Sequence, residues 1–337
     1  MLRPFSLTLL LSCALVLMLA SCAATSTGAA RTPDPELPAS VYELNITVFP
    51  PSTALDFSTP ATLVYSAFQA KQHASDVRSS TKSAPAHEVG HTLVELRRGD
   101  APPIFAAVSD EDDDEEDRRV FDDGVGFALL FEGVKGHIQS ERDVRGTLRQ
   151  PRFFGTRAAR LRVLLSREMA EHLTLFFERF EKGRIAERFA LAADPLTGTG
   201  AGCASFAIAF LEAGDLMIPE WRGFNTPDGW RLRLRVPEAL IGGATTGRRI
   251  DPYALIAAPI AQRWAEPREP GRELVFYETG LMHAWLVRAV ESADVRARFG
   301  LRLGAEERTI ADLVNIPTVT LDRREARPPA APRWRFE

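Results

Sequence analysis

The sequence predicts an α+β fold, an antiparallel sheet packed on helices. Short alternating or apolar stretches recur between turn residues, at 41–49, 92–96, 104–108 and 230–236. A long amphipathic segment follows Ser166 and a second apolar helical segment follows Gly202. With 45% apolar and 26% charged residues among 337, the chain has the makeup of an ordinary globular protein and can bury a core without disulfide staples.

The elements follow in order. Val41 to Phe49 reads as a strand closed by Pro50-Pro51. Pro60 after Ser58-Thr59 opens a helix whose Leu63, Val64, Ala67 and Phe68 have helical spacing. Thr92 to Leu96 is a strand, and Ile104 to Val108 its partner across a Gly-Asp-Ala-Pro-Pro turn. The acidic run 110–117 is a solvated loop, since it lacks the interspersed glycines of a Ca²⁺ loop. Val125 to Val134 is expected as a buried strand with a hairpin arm near His137-Ile138. After the strand Leu161 to Leu165, Ser166 caps a helix carrying Met169, Leu173, Phe176, Phe177 and Phe180 on one face and stopping at Gly183. A short strand over 188–192 leads to the loop Gly198-Thr199-Gly200-Ala201-Gly202 and a helix that ends at Gly214. Beyond lie the strand 230–236 and helical stretches at 254–264 and 281–290; the Arg- and Pro-rich residues 321–337 read as an unpacked tail.

The three cysteines carry the functional argument. Arg3 followed by the apolar run Phe5 to Ala20 is a secretory signal, and Leu19-Ala20-Ser21-Cys22 resembles a bacterial lipobox. The resemblance implies a signal peptide over 1–21 containing Cys13, lipid attachment at Cys22, and a small-residue tether over 22–38. Ala23 after the lipidated cysteine favours the outer membrane facing the periplasm. The membrane is thus the first expected partner. A net charge of −4 with dispersed basic residues argues against nucleic acid.

Cys203 is left without a disulfide partner, on the first turn of a helix. There the unpaired amides and the dipole favour a thiolate, and the amides of Cys203 and Ala204 can hold an oxyanion. A small buried core residue is the alternative use. Of six histidines, His172 and His283 sit on helical stretches suited to structural roles, His73 lies in a polar segment, and His137 follows a Gly-bounded strand. His91 enters the strand 92–96, placing an imidazole where a thiol–imidazole pair needs one.

Gly90-His91 before a strand, then a strand–helix unit, then a small-residue loop with Cys203 opening a helix, resembles the circularly permuted papain-like fold of NlpC-type amidases and lecithin retinol acyltransferase relatives. The resemblance covers roughly residues 85–215. It implies a papain-like core over 39–215, leaving a C-terminal extension over 216–320. It further implies a cysteine amidase, peptidase or acyltransferase, without cofactor, acting on cell-wall peptide or a lipid substrate. Cys203 would be the nucleophile, His91 the base and Ser109 the third member, with Asp110 and Glu95 next in line. Gly202 stands where many such proteins carry Asn.

Two alternatives stand beside it. His87-Glu88-Val89-Gly90-His91 fits the HExxH pattern, in which two imidazoles one helical turn apart hold zinc and the Glu acts as base. Pro85, Gly90, Thr92 and Val94 oppose a helix there, and no third ligand is evident. The other alternative is a non-catalytic envelope lipoprotein that binds or scaffolds. The glycine loop 198–202 lacks the Lys-Ser/Thr of a phosphate cradle, and Trp221, Trp230, Trp264 and Trp285 are assigned to core packing.

Overall fold

Alternation along three neighbouring strands builds the centre of the molecule. In the computed structural model, which describes residues 41–51, 53–81, 90–111, 115–148, 158–244, 246–304 and 316–336, β1 (Tyr42–Phe49) lies between β2 (His91–Arg98) and β6 (Ala159–Leu165), antiparallel to both. β3 (Ala101–Ala106) continues the sheet past β2. On the other side, β11 (Thr318–Arg323) runs parallel to β6 and antiparallel to β10 (Leu301–Leu303), giving the order β10-β11-β6-β1-β2-β3. A three-stranded sheet joins β4 (Val108–Asp110), β5 (Val134–Ile138) and β7 (Arg188–Phe189), while β8 (Arg231–Pro237) and β9 (Gly271–Tyr277) form a two-stranded ribbon. The architecture is mixed α+β, with antiparallel pairs predominating.

The two faces of the main sheet differ because side chains alternate. Leu44, Ile46, Val48, Val94, Leu96, Leu161 and Val163 share one buried cluster with the helices. Those helices are α3 (Arg167–Lys182), α4 (Cys203–Ala213) and α6 (Thr279–Glu291). Here Phe176, Phe180, Phe206 and Phe210 interlock with ring centroids 5.0–6.2 Å apart. Each such aromatic pair adds roughly 0.5–1.5 kcal/mol beyond its burial. The opposite face carries Glu43, Asn45, Thr47, Glu95, Arg160 and Arg162, all buried. Glu43 lies 3.4 Å from Arg97 and 3.5 Å from Arg162, and Arg97 pairs with Glu95 at 2.7 Å. A carboxylate and guanidinium network of this kind keeps charge paired where water cannot reach.

Local chemistry fixes the helices. Ser166 Oγ accepts from the Met169 amide at 3.1 Å, a cap worth about 1 kcal/mol, and α3 ends at Gly183 as its sequence indicates. α1 (Pro60–Thr81) starts at its proline and packs against the short helix α5 (Pro252–Ala257). A further helix, α2 (Glu141–Leu148), follows β5, and α7 (Ala293–Phe299) follows α6.

Two expectations need correction. Val125 to Val134 is not a strand: Gly126 has φ 56°, Leu129–Glu132 form a single helical turn, and the strand begins only at Val134. Most of its apolar side chains cluster with those of β8, β9 and α1, while Leu129 and Leu130 are half-buried at the cavity, so the run has no regular solvent face to display a period. Nor are residues 321–337 an unpacked tail. Leu321 lies in the sheet, and Trp334 is buried against His172 and Phe176, at centroid distances of 5.0 and 5.5 Å. Trp221, Trp230 and Trp285 form a buried core cluster. The signal peptide, Cys22 and the tether lie outside the described residues.

Candidate active site

Cys203 sits where the glycine loop gives way to helix. Gly202, extended at φ −102° and ψ 167°, is the N-cap residue of α4, and Ser205 Oγ accepts from its amide at 2.9 Å while donating to its carbonyl at 3.1 Å. Eleven helical residues without an acidic side chain in the first turn leave the positive end of the dipole unopposed. Thr92, fully buried on β2, donates its hydroxyl to the Cys203 carbonyl at 2.5 Å. One bond across 111 residues therefore ties the strand of His91 to the turn of Cys203.

The thiol keeps part of its surface open to a cavity of about 850 Å³, yet surrounding protein pushes it up to about 11. Hydrogen bonding from the Ala204 and Thr92 amides and from the Thr92 hydroxyl pulls the other way and is outweighed by burial. His91 lines the same cavity. It is 2% exposed, and burial pushes it down to about 4, so the ring is neutral at pH 7. Its Nε2 lies 3.3 Å from Gln139 Oε1. An amide oxygen can only accept, so with Oε1 facing the ring Nε2–H donates.

Strand geometry decides how the two candidates approach. His91 pairs with Phe49, whose side chain clusters with Leu93 on the charged face of the sheet; Thr92 faces α4. The imidazole and the thiol therefore border the cavity from the two sides of the first residues of β2. Gly90 shapes the entry into β2. At φ 87° it adopts a backbone conformation that L side chains resist, and an added Cβ would lie 2.4 Å from Thr279 Oγ1 and 3.1 Å from the Phe49 carbonyl.

Ser109, expected as the third member, also lines the cavity, but its hydroxyl donates to Asp110 at 2.9 Å and its strand partner is His137. Gln139 holds the imidazole instead. Its own amide donates to the Ala107 carbonyl at 2.8 Å, fixing its backbone just past β5. The only sequence signal was its place two residues beyond His137, after a strand paired with the segment following β3. Glu95 pairs with Arg97 and belongs to the buried charge network. His172 bonds the Ala213 carbonyl at 3.1 Å and stacks near Trp334, a structural role. Glu278 is a polar group the sequence did not single out. It is buried in the cavity wall, its carboxyl pushed up by burial, and it accepts from the Gly280 and Leu281 amides at 2.8 and 2.6 Å.

The helix required by His87-Glu88-x-x-His91 would have to pass through Gly90 at φ 87° and His91, which begins β2; His87 and Glu88 lie outside the described residues. Among the described residues, no three His, Cys, Asp or Glu side chains gather as metal ligands, and no helix is long and apolar enough to cross a membrane.

Comparison with protein-family models, with curated proteins and with solved structures finds no match to this chain.

Proposed function

We propose that the protein is a cysteine-dependent hydrolase or acyltransferase of the cell envelope, tethered through lipidated Cys22, with Cys203 as nucleophile and His91 as base. One observation carries this reading: a cysteine on the first turn of α4 opens into the same cavity as a neutral imidazole whose Nε2 is already engaged by Gln139. The arrangement resembles a papain-like triad in its logic, with Gln139 as positioning residue.

The chemistry follows from the protonation states. Thiol and imidazole are both neutral at pH 7, so proton transfer accompanies attack. As the Cys203 sulfur bonds to the carbonyl carbon of an ester or amide, its proton passes to the His91 imidazole. The oxyanion is held by the first amides of α4 at Cys203 and Ala204. Collapse breaks the carbon–oxygen or carbon–nitrogen bond, and the leaving group takes the proton from His91. Water, or an amine or alcohol acceptor, then attacks the thioester, gives its proton to His91, and the thiol is restored.

The test is direct. The purified full chain, incubated with p-nitrophenyl acetate and analysed by peptide mass spectrometry, is expected to carry one acetyl group on Cys203, none in Cys203→Ser, and to acquire it at least tenfold more slowly in His91→Ala. An absent adduct, or a rate indifferent to His91, would remove the proposal.

A further inference from the structure

The face of the main sheet opposite α3 and α4 carries charge that the cysteine site does not use. Alternation puts Glu43, Asn45 and Thr47 of β1, Glu95 and Arg97 of β2, and Arg160 and Arg162 of β6 on that side. Among these residues three guanidiniums meet two carboxylates. Glu43 is well served: Arg97 and Arg162 lie 3.4 and 3.5 Å away, and the Asn45 side-chain amide donates to it at 2.9 Å. Glu95 is taken by Arg97 at 2.7 Å. Asp322, at the edge of the same sheet, is held by Arg324 at 2.6 Å and by Arg302 at 3.4 Å.

Arg160 is the cation left over. It is 2% exposed, and its Nε donates to the Thr47 hydroxyl at 3.2 Å. Among the described residues, its side chain makes no other hydrogen bond and no ion pair. Burial and the neighbouring Arg162 and Arg97 oppose its charge, while Glu95 and Glu43 favour it without touching it. A guanidinium buried in this way is costly unless an anion meets it.

Asn45 supplies a second, independent observation. It is 1% exposed, and its Oδ1 has no hydrogen-bond donor. Turning the amide over gives no remedy, because the oxygen would then face the Glu43 carboxylate. Asn45 pairs directly with Arg162 and lies diagonally from Arg160, a spacing that a long side chain spans. Unpaired guanidinium donors therefore stand beside an unpaired acceptor. One ligand satisfies both if it is an anion that also carries a hydroxyl. The single surplus cation matches a charge of −1. Chloride and nitrate lack the hydroxyl, and a dianion would reverse the imbalance.

We propose that Arg160 and Asn45 bind hydrogen carbonate on the far face of the main sheet. Its two charged oxygens accept from the Arg160 Nη1 and Nη2 groups, whose fork matches a carboxylate-like pair, and its hydroxyl donates to Asn45 Oδ1. The anion completes the charge network on the face that His91 shares, and the site stands whether or not Cys203 is a nucleophile.

The full chain, dialysed free of carbonate and titrated in sealed cells at pH 8 with sodium hydrogen carbonate, tests the site through its thermal unfolding. Tm is expected to rise saturably, by about 3 °C at roughly 50 mM. Chloride, nitrate and phosphate at equal ionic strength should give less than about a third of that rise, phosphate being mostly a dianion at this pH. Arg160→Met, similar in volume but uncharged, should abolish the rise. Asn45→Leu removes the acceptor and Arg160→Lys keeps the charge without the fork; each should raise the midpoint concentration about tenfold, and they serve if Arg160→Met does not fold. No rise, an equal rise with chloride, nitrate or phosphate, or a midpoint unchanged in the folded variants would overturn the proposal.

Discussion

The Thr92 hydroxyl lies 2.5 Å from the carbonyl oxygen of Cys203, and this contact sets the first turn of α4 against the strand that bears His91. Thr92→Val keeps the shape and deletes the donor, removing one hydrogen bond from a carbonyl that α4 still uses, at a cost of about 1 kcal/mol. Urea denaturation should register that loss. Alkylation of Cys203 by iodoacetamide at pH 9 should also slow, because the Thr92 hydroxyl favours the thiolate. Thr92→Ser should restore both, and a Val variant with wild-type alkylation would show that the contact is structural only.

His91 predicts a specific pH dependence of stability. In the folded protein burial lowers it to about 4, below the ordinary imidazole value of 6.5, so between these values the unfolded chain binds more protons. Stability therefore rises with pH across that window, is complete above pH 6.5 and is lost as pH falls towards 4, by about 3 kcal/mol in all. Chemical denaturation of wild type and His91→Gln at pH 4.5 and 7 should show the wild-type difference shrinking in the variant.

The thiol acts at the other end of the scale. With Cys203 pushed up to about 11, its alkylation rate should stay low through pH 8 and climb towards pH 11 in the absence of substrate. A half-maximal rate near 8.5, the ordinary value for a free thiol, would mean that the sulfur is not desolvated as the structure places it.

Gly90 tests the junction. Gly90→Ala incurs both the left-handed backbone cost of about 1–2 kcal/mol and a clash with Thr279 Oγ1. Thr279→Ala in the same chain should recover the clash and leave the backbone cost. Thermal unfolding of the two singles and the double supplies the coupling, which is expected to be favourable.

What the sequence made legible was what depends on local chemistry. Ser166 and Gly183 bracket α3 because a hydroxyl caps free amides and a glycine stops the helix. Gly202 and Gly214 bracket α4 around Cys203 for similar reasons. The sheet strands β1, β2 and β6 were readable from apolar content, although the far face of the sheet buries Glu43, Arg160 and Arg162, a pairing that no single strand discloses. Gln139 was invisible because its role depends on β5 docking beside β4, which brings it to His91 across 48 residues of sequence. Trp334 was passed over because its neighbours are Arg and Pro, which look solvated until the aromatic surface of α3 is known. Val125 to Val134 misled because a run buried over most of its length shows no period.

The placement of β11 bears on how the protein is made. The strand at 318–323 inserts between β10 and β6, pairing parallel with one and antiparallel with the other. The sheet that begins with residue 42 is thus finished only when residue 323 has been delivered. The framework that carries His91 and backs Cys203 therefore leans on a stretch of chain far downstream of both, and a polypeptide cut before residue 318 would leave β6 with an open edge.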